Sequence, residues 1–180
     1  MNFEIPGDPL SKGPWFYHVY DEVSETPYVP YAGIRAGNST PVKDFCERSP
    51  AEGAVREVLD HLDWQFPGKT RFISLWDDYE RAVKEANRRR EQPRPWDPRS
   101  RTCQDRGDVG IAVISARQLL AREIECFNVR DYLMFYQPDI IIRNNVKQNY
   151  PISPGEWLAV SRIPDQAVIC TMDFTGGRIH

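Results

Sequence analysis

Fifteen prolines punctuate the 180-residue chain, and no other feature limits its possible folds so strongly. Proline removes a backbone donor, breaks helix interiors, and is tolerated in sheets only at edges and bulges. A bundle of long helices is therefore excluded, and a loop-rich fold of several short elements is expected. Enough apolar side chains remain to fill a core, at 41% hydrophobic against 27% charged, so the composition is neither that of a disordered chain nor that of a membrane-embedded one. A chain of this length is expected to form one domain over residues 1–180, with an ordered core at about 14–174.

A net charge of -3 argues against a constitutive, sequence-independent nucleic-acid binder but leaves room for a local basic patch. The first residues, Met1 to Asp8, have neither a basic n-region nor an apolar h-region, and no stretch approaches the roughly 20 apolar residues of a membrane span. The expectation is a cytoplasmic or nuclear protein with no membrane partner. Cys46, Cys103, Cys126 and Cys170 are far apart and make no C-x-x-C pair, so reduced thiols are the default.

Along the chain, Trp15 to Tyr20 reads as a strand from its aromatic and β-branched residues. The turn-rich segment through Pro27, Pro30, Gly33 and Gly37 reads as a surface loop. Ser49-Pro50-Ala51-Glu52 forms a capping signature ahead of Val55, Val58, Leu59 and Leu62 at helical spacing. A strand follows at Arg71 to Trp76. Asp77 and Asp78 read as caps of a second helix with Tyr79, Ala82, Val83 and Ala86 on its apolar side. Residues 81–101 carry eight Lys or Arg against three acids, and this basic run passes into a Pro-rich loop at about 92–106, expected to be mobile. It reads as a solvated helix end, or as a phosphate or RNA contact through Arg88, Arg89 and Arg90.

Val109 to Ile114 is a buried-type strand, and Ser115 caps the helix that follows. Residues 129–143 divide between a helix up to Tyr136 and a strand at Ile140 to Ile142. Two further strands, 155–164 and 167–172, join around Pro164-Asp165.

No P-loop, dinucleotide-binding glycine turn, G-x-S-x-G elbow or H-E-x-x-H helix is present, and three histidines are too few for a histidine-rich metal site. A Cys-His nucleophile pair stays open, because such partners meet in space rather than in sequence. What remains is a three-part pattern: Phe16-Tyr17-His18-Val19-Tyr20 with a later Gly33-Ile34; Phe72-Ile73-Ser74 ahead of a helix with Ala82 and Ala86; and Gly155-Glu156-Trp157-Leu158 leading to Arg162-Ile163-Pro164. In order and spacing it resembles the ADP-ribosyltransferase fold over about residues 14–174. More narrowly, it looks like a fungal domain family of unknown function with the same layout.

The resemblance implies an α+β fold of two short packed β-sheets with flanking helices. It also implies NAD as substrate and an NAD-dependent glycosyl transferase. His18 would meet the NAD ribose or diphosphate, Ser74 would lie near the nicotinamide, and Glu156 would be catalytic. Splitting the nicotinamide bond develops an oxocarbenium-like ribose that a fixed carboxylate stabilises. Tyr17, Trp76 or Tyr79 would wall the nicotinamide by stacking.

Two departures accompany the match. Ser74 lacks flanking Ser or Thr, and Pro154 stands where arginine- or asparagine-modifying transferases carry Glu or Gln. NAD hydrolysis, transfer to another acceptor and RNA 2′-phosphotransferase chemistry therefore stay open. So do a degenerate domain that binds a protein or RNA partner and an enzyme acting on an aminoacyl or nucleotide substrate. The residues also allow plainer roles: His18 as a hydrogen-bonded strand histidine, Ser74 as a small packing residue, and Trp157 to Val160 as core. Glu156 differs, since a carboxylate opening an apolar strand must face solvent or a cleft.

Overall fold

The structure, a computed structural model, describes residues 14–21, 24–38, 45, 52–63, 68–91, 96–97, 102–103, 108–139 and 152–173. The expected caps at Ser49 to Ala51, the strand at Ile140 to Ile142 and most of the 92–106 loop lie outside these residues. Within the loop, β5 (Trp96–Asp97) and β6 (Thr102–Cys103) pair antiparallel.

The long strands form where aromatic and β-branched residues run without proline. They are β1 (Trp15–Tyr20), β4 (Phe72–Trp76), β7 (Gly110–Ser115), β9 (Glu156–Val160) and β11 (Val168–Asp173). With β8 (Cys126–Asn128) they make a six-stranded sheet in the order β11-β7-β1-β4-β9-β8, every neighbouring pair antiparallel. A second sheet joins β2 (Tyr28–Val29), β3 (Gly33–Arg35) and β10 (Arg162–Ile163) in the order β10-β3-β2.

The helices are α1 (Glu52–Leu62), α2 (Tyr79–Glu91), α3 (Ala116–Ala121) and α4 (Val129–Tyr136). Side-chain oxygens start three of them. Asp78 accepts from the Arg81 N–H at 3.0 Å, Ser115 from Gln118 at 3.3 Å and Asn128 from Asp131 at 3.1 Å, each satisfying a first-turn donor.

Strand alternation sorts the core into two faces. Phe16, Ile73, Leu75, Ile114 and Trp157 point toward the small sheet, where Ile34 and Ile163 meet them and α3 adds Leu119. On the opposite face Phe72, Leu158 and Val160 pack under α1 and α4, and Val19 and Ile111 pack under Ala82 and Ala86 of α2. The α+β class with two packed sheets and flanking helices is thus the architecture of the chain.

Three sequence expectations change. The surface loop around residues 27–37 contains a hairpin of the second sheet with Ile34 fully buried. Gly33 sits there at φ 80°, and a Cβ would overlap the Ile163 carbonyl. The strand expected at 155–164 is two strands: Ser161, at φ 69°, turns the chain from β9 in the large sheet to β10 in the small one. Asp77 does not cap α2. It takes the Trp157 indole N–H at 3.4 Å, while its own N–H donates to the Gly155 carbonyl at 3.1 Å, which ties the end of β4 to the start of β9. A Cβ at Gly155 would meet the Asp77 carboxylate and the Arg81 side chain, so a larger residue before Glu156 would push both aside and disturb the Asp77–Trp157 contact.

Candidate functional site

Strand pairing explains where the site lies. β1 pairs with β7 at six register positions and β4 with β9 at five, but β1 and β4 share the single pair Tyr17↔Trp76. Past that pair the two strands separate, and a cavity of about 640 Å³ opens between them beneath α1 and α2. This is a common size for a small-molecule site.

Ser74 and Glu156 reach the cavity from the helix face of the sheet. Glu156 stands opposite Trp76 in the β4–β9 ladder, which makes it the diagonal neighbour of Ser74 on the same face. The Ser74 hydroxyl donates to Glu156 Oε1 at 3.2 Å. Only 7% of Glu156 is exposed. Burial pushes its carboxyl up to about 7, the Ser74 hydrogen bond opposes that rise, and repulsion from Glu85 adds to it.

His18 lies on the other face of β1 and turns its ring into the gap. Nδ1 is 2.8 Å from the Ser74 carbonyl and Nε2 is 2.8 Å from the Thr26 carbonyl. Where β1 and β4 no longer pair backbone to backbone, the imidazole thus bridges them and holds the turn before β2. Burial lowers its pKa to about 4, against the pull of both carbonyls. The neutral ring has one N–H and can donate to only one of them. Both nitrogens of His18 therefore face protein, and its contribution to the cavity is the ring surface.

Sequence reading missed His61, on the last turn of α1. Its Nδ1 lies 2.6 Å from Thr70 Oγ1 and its Nε2 3.0 Å from Ser74 Oγ, so it adjoins the Ser74–Glu156 pair directly. Burial, and then the proximity of His18, lowers its pKa to about 4. A weak signal existed: His61 follows Val58 by three residues, at the flank of the apolar stripe of α1.

The basic run contributes as well. Arg88 and Arg89 line the cavity from the end of α2, held by Glu85, which accepts from Arg88 Nε at 2.7 Å and from Arg89 Nε at 2.8 Å. Arg89 also donates to Ser24 Oγ at 2.9 Å. Arg90 is exposed and does not line the cavity. The cavity therefore has the Glu156 carboxyl on one wall and, on another, two guanidinium groups paired with Glu85, with Asp21 and Glu25 also in the lining.

Among the aromatic residues of the expected site, Trp76 lines the cavity. Tyr17 and Tyr79 pack on each other, ring centroids 5.4 Å apart, and are not part of the lining. Cys126 is buried with its thiol pushed up to about 12, which removes it as a thiolate nucleophile, and Cys170 is exposed on β11. Among the described residues no cluster of three or more His, Cys, Asp or Glu side chains is arranged to hold a metal ion, and no helix is long and apolar enough to cross a membrane.

Residues 11–176 match the family described as a domain of unknown function, DUF7587, and the chain belongs to that family. No curated protein matches it. One solved structure, EcPltA, is similar over 92% of this chain and 78% of its own, with 13% sequence identity and a TM-score of 0.41, a likeness too slight to carry an argument about activity.

Proposed function

We propose that the chain consumes NAD in the manner of an ADP-ribosyltransferase, breaking the nicotinamide–ribose bond and passing the ADP-ribosyl group to water or to another acceptor. The observation that carries this reading is the buried Ser74–Glu156 pair on one wall of a cavity whose other wall holds Arg88 and Arg89. Loss of nicotinamide leaves positive charge on the ribose, and a carboxylate in a dry site stabilises that charge far better than water does. The arginines suit an anionic group at the far end of the substrate. Trp76 supplies a flat apolar surface for a ring.

Pro154, exposed and two residues before Glu156, has no side-chain group with which to orient a protein acceptor, and this favours water or another acceptor. Glu156 must be ionised to act on the cation. With its carboxyl held near 7, kcat/KM should rise as pH increases through about 7. The test is nicotinamide release from NAD by the wild type and by Glu156→Gln and Glu156→Ala. Loss of release in both variants is expected, and equal release by all three proteins would remove the reading.

A second reading, a domain that binds a nucleotide or partner without turnover, is favoured by His18, whose ring nitrogens both face carbonyl groups. NAD that raises the melting temperature without nicotinamide release would select it.

A further inference from the structure

We propose that His61 is a positioning residue whose tautomer is coupled, through the Ser74 hydroxyl, to the protonation state of Glu156. The coupling rests on a continuous chain of hydrogen-bonding atoms: Thr70 Oγ1, His61 Nδ1, His61 Nε2, Ser74 Oγ and Glu156 Oε1, with successive contacts of 2.6, 3.0 and 3.2 Å. The inference concerns the carboxyl group itself and so reaches beyond the choice of substrate.

Donor counting fixes the direction of the chain. An ionised Glu156 can only accept, so Ser74 must give it the hydroxyl proton. Ser74 Oγ then accepts from His61, which places the ring proton on Nε2. Nδ1 is left bare and accepts the Thr70 hydroxyl proton. When Glu156 is protonated the chain can run the opposite way: Glu156 donates to Ser74, Ser74 donates to Nε2, and the ring proton sits on Nδ1 and donates to Thr70.

Both directions satisfy every group because each partner of His61 is a hydroxyl, able to donate or accept. His61 remains neutral throughout, since burial keeps its pKa near 4, so the change is one of tautomer and not of charge. The proton count balances: each proton of the chain shifts one place toward Glu156 along its existing hydrogen bond, from Ser74 to Glu156, from Nε2 to Ser74 and from Thr70 to Nδ1. The proton gained from the cavity replaces that of the Thr70 hydroxyl.

The chemical use is to hold Glu156 ready. In the ionised state His61 commits the Ser74 proton to the carboxylate and removes the alternative in which that hydroxyl turns away. The neighbouring charged and titratable groups are His18 and Asp21 at the β1 end, Glu25 in the following turn, and Glu85, Arg88 and Arg89 on α2. A control that leaves these intact is therefore needed.

The test uses the full chain with 15N-labelled histidine, whose ring-nitrogen shifts distinguish the two tautomers, observed by NMR from pH 5.5 to 8.5. The Glu156 carboxyl is followed by 13C in the same samples. The expected result is a His61 ring protonated on Nε2 at high pH and on Nδ1 at low pH, with the same midpoint as Glu156. Glu156→Gln should abolish the pH dependence while leaving the other cleft charges in place, and Ser74→Ala should uncouple His61 from a Glu156 that still titrates. In His61→Gln the Glu156 midpoint should move upward by about one pH unit, the effect of a weakened hydrogen bond to a charged acceptor.

A His61 tautomer that stays constant while Glu156 titrates would overturn the proposal, as would a tautomer change that survives Ser74→Ala. Absence of nicotinamide release leaves all of these readouts intact, so a failure of NAD chemistry is told apart from a failure of the coupling.

Discussion

Two buried histidines border the same cleft, and what they touch separates their roles. The short partners of His18 are the carbonyls of Ser74 and Thr26, both at 2.8 Å, with the Thr26 hydroxyl farther off at 3.5 Å, whereas His61 lies between the hydroxyls of Thr70 and Ser74 at 2.6 and 3.0 Å, each able to donate or accept. The first arrangement is a fixed brace between elements. The second can exchange donor for acceptor at little cost. Burial lowers both rings to about 4, so equal pKa values accompany unequal chemistry. The lesson is that a buried histidine is read from its partners more than from its titration.

The largest expected effect is on acid stability, where the two histidines act alike. Each folded pKa lies below the unfolded value of 6.5, so their contribution is complete above about pH 6.5 and is lost as pH falls toward 4, by up to about 3 kcal/mol for each ring. Glu156 acts the other way: its raised pKa favours folding below about 4.5, and that contribution is lost as pH rises through 7. Of these three groups the two histidines outweigh Glu156, so urea unfolding between pH 7.5 and 4.5 should show a net fall in stability, and in the double variant His18→Gln/His61→Gln the Glu156 contribution is left alone and the change should reverse sign.

Next in size is the brace. His18→Ala should cost about 3 kcal/mol, because it leaves a cavity and deprives one carbonyl of its donor. His61→Ala should cost less, about 2 kcal/mol, since its hydroxyl partners can reorient. Equal losses in chemical denaturation would break the comparison.

Glu156→Gln should raise stability by about 1–2 kcal/mol at pH 8, where the wild type holds a buried carboxylate, and should do nothing at pH 5. Thermal unfolding at the two pH values checks the sign. The smallest effect belongs to Thr70→Val, which removes the outer end of the His61 chain and should cost about 1 kcal/mol without altering His18. The His18 ring shifts provide the control.

Much of this arrangement was legible in the chain, for identifiable reasons. The main strands announce themselves as runs such as Phe72 to Trp76, and Asp78 and Ser115 are caps because short polar side chains precede helical spacing. The meeting of His18, Ser74 and Glu156 at one cavity followed from a resemblance in order and spacing, not from any local pattern. β2 and β3 are too short to show alternation. Asp77 looked like a cap because its true partners, Gly155 and Trp157, lie far along the chain. His61 was passed over for the same reason: its use depends on Ser74 in another element. Arg88 and Arg89 read as a solvated helix end or as a phosphate or RNA contact, and only tertiary packing makes them a cavity wall.

The single rung between β1 and β4 has one more consequence. A chamber bounded by two diverging strands has a mouth set by main-chain geometry, while its interior is set by side chains. Trimming Phe72, which lines the cavity from the middle of the sheet, would enlarge the room and leave the strand separation as it is. The rung end of the chamber is also the Glu156 end, since Trp76 stands opposite Glu156, so breadth is adjusted apart from that end by changes at Ser24, Glu25 and Thr26 in the segment after β1.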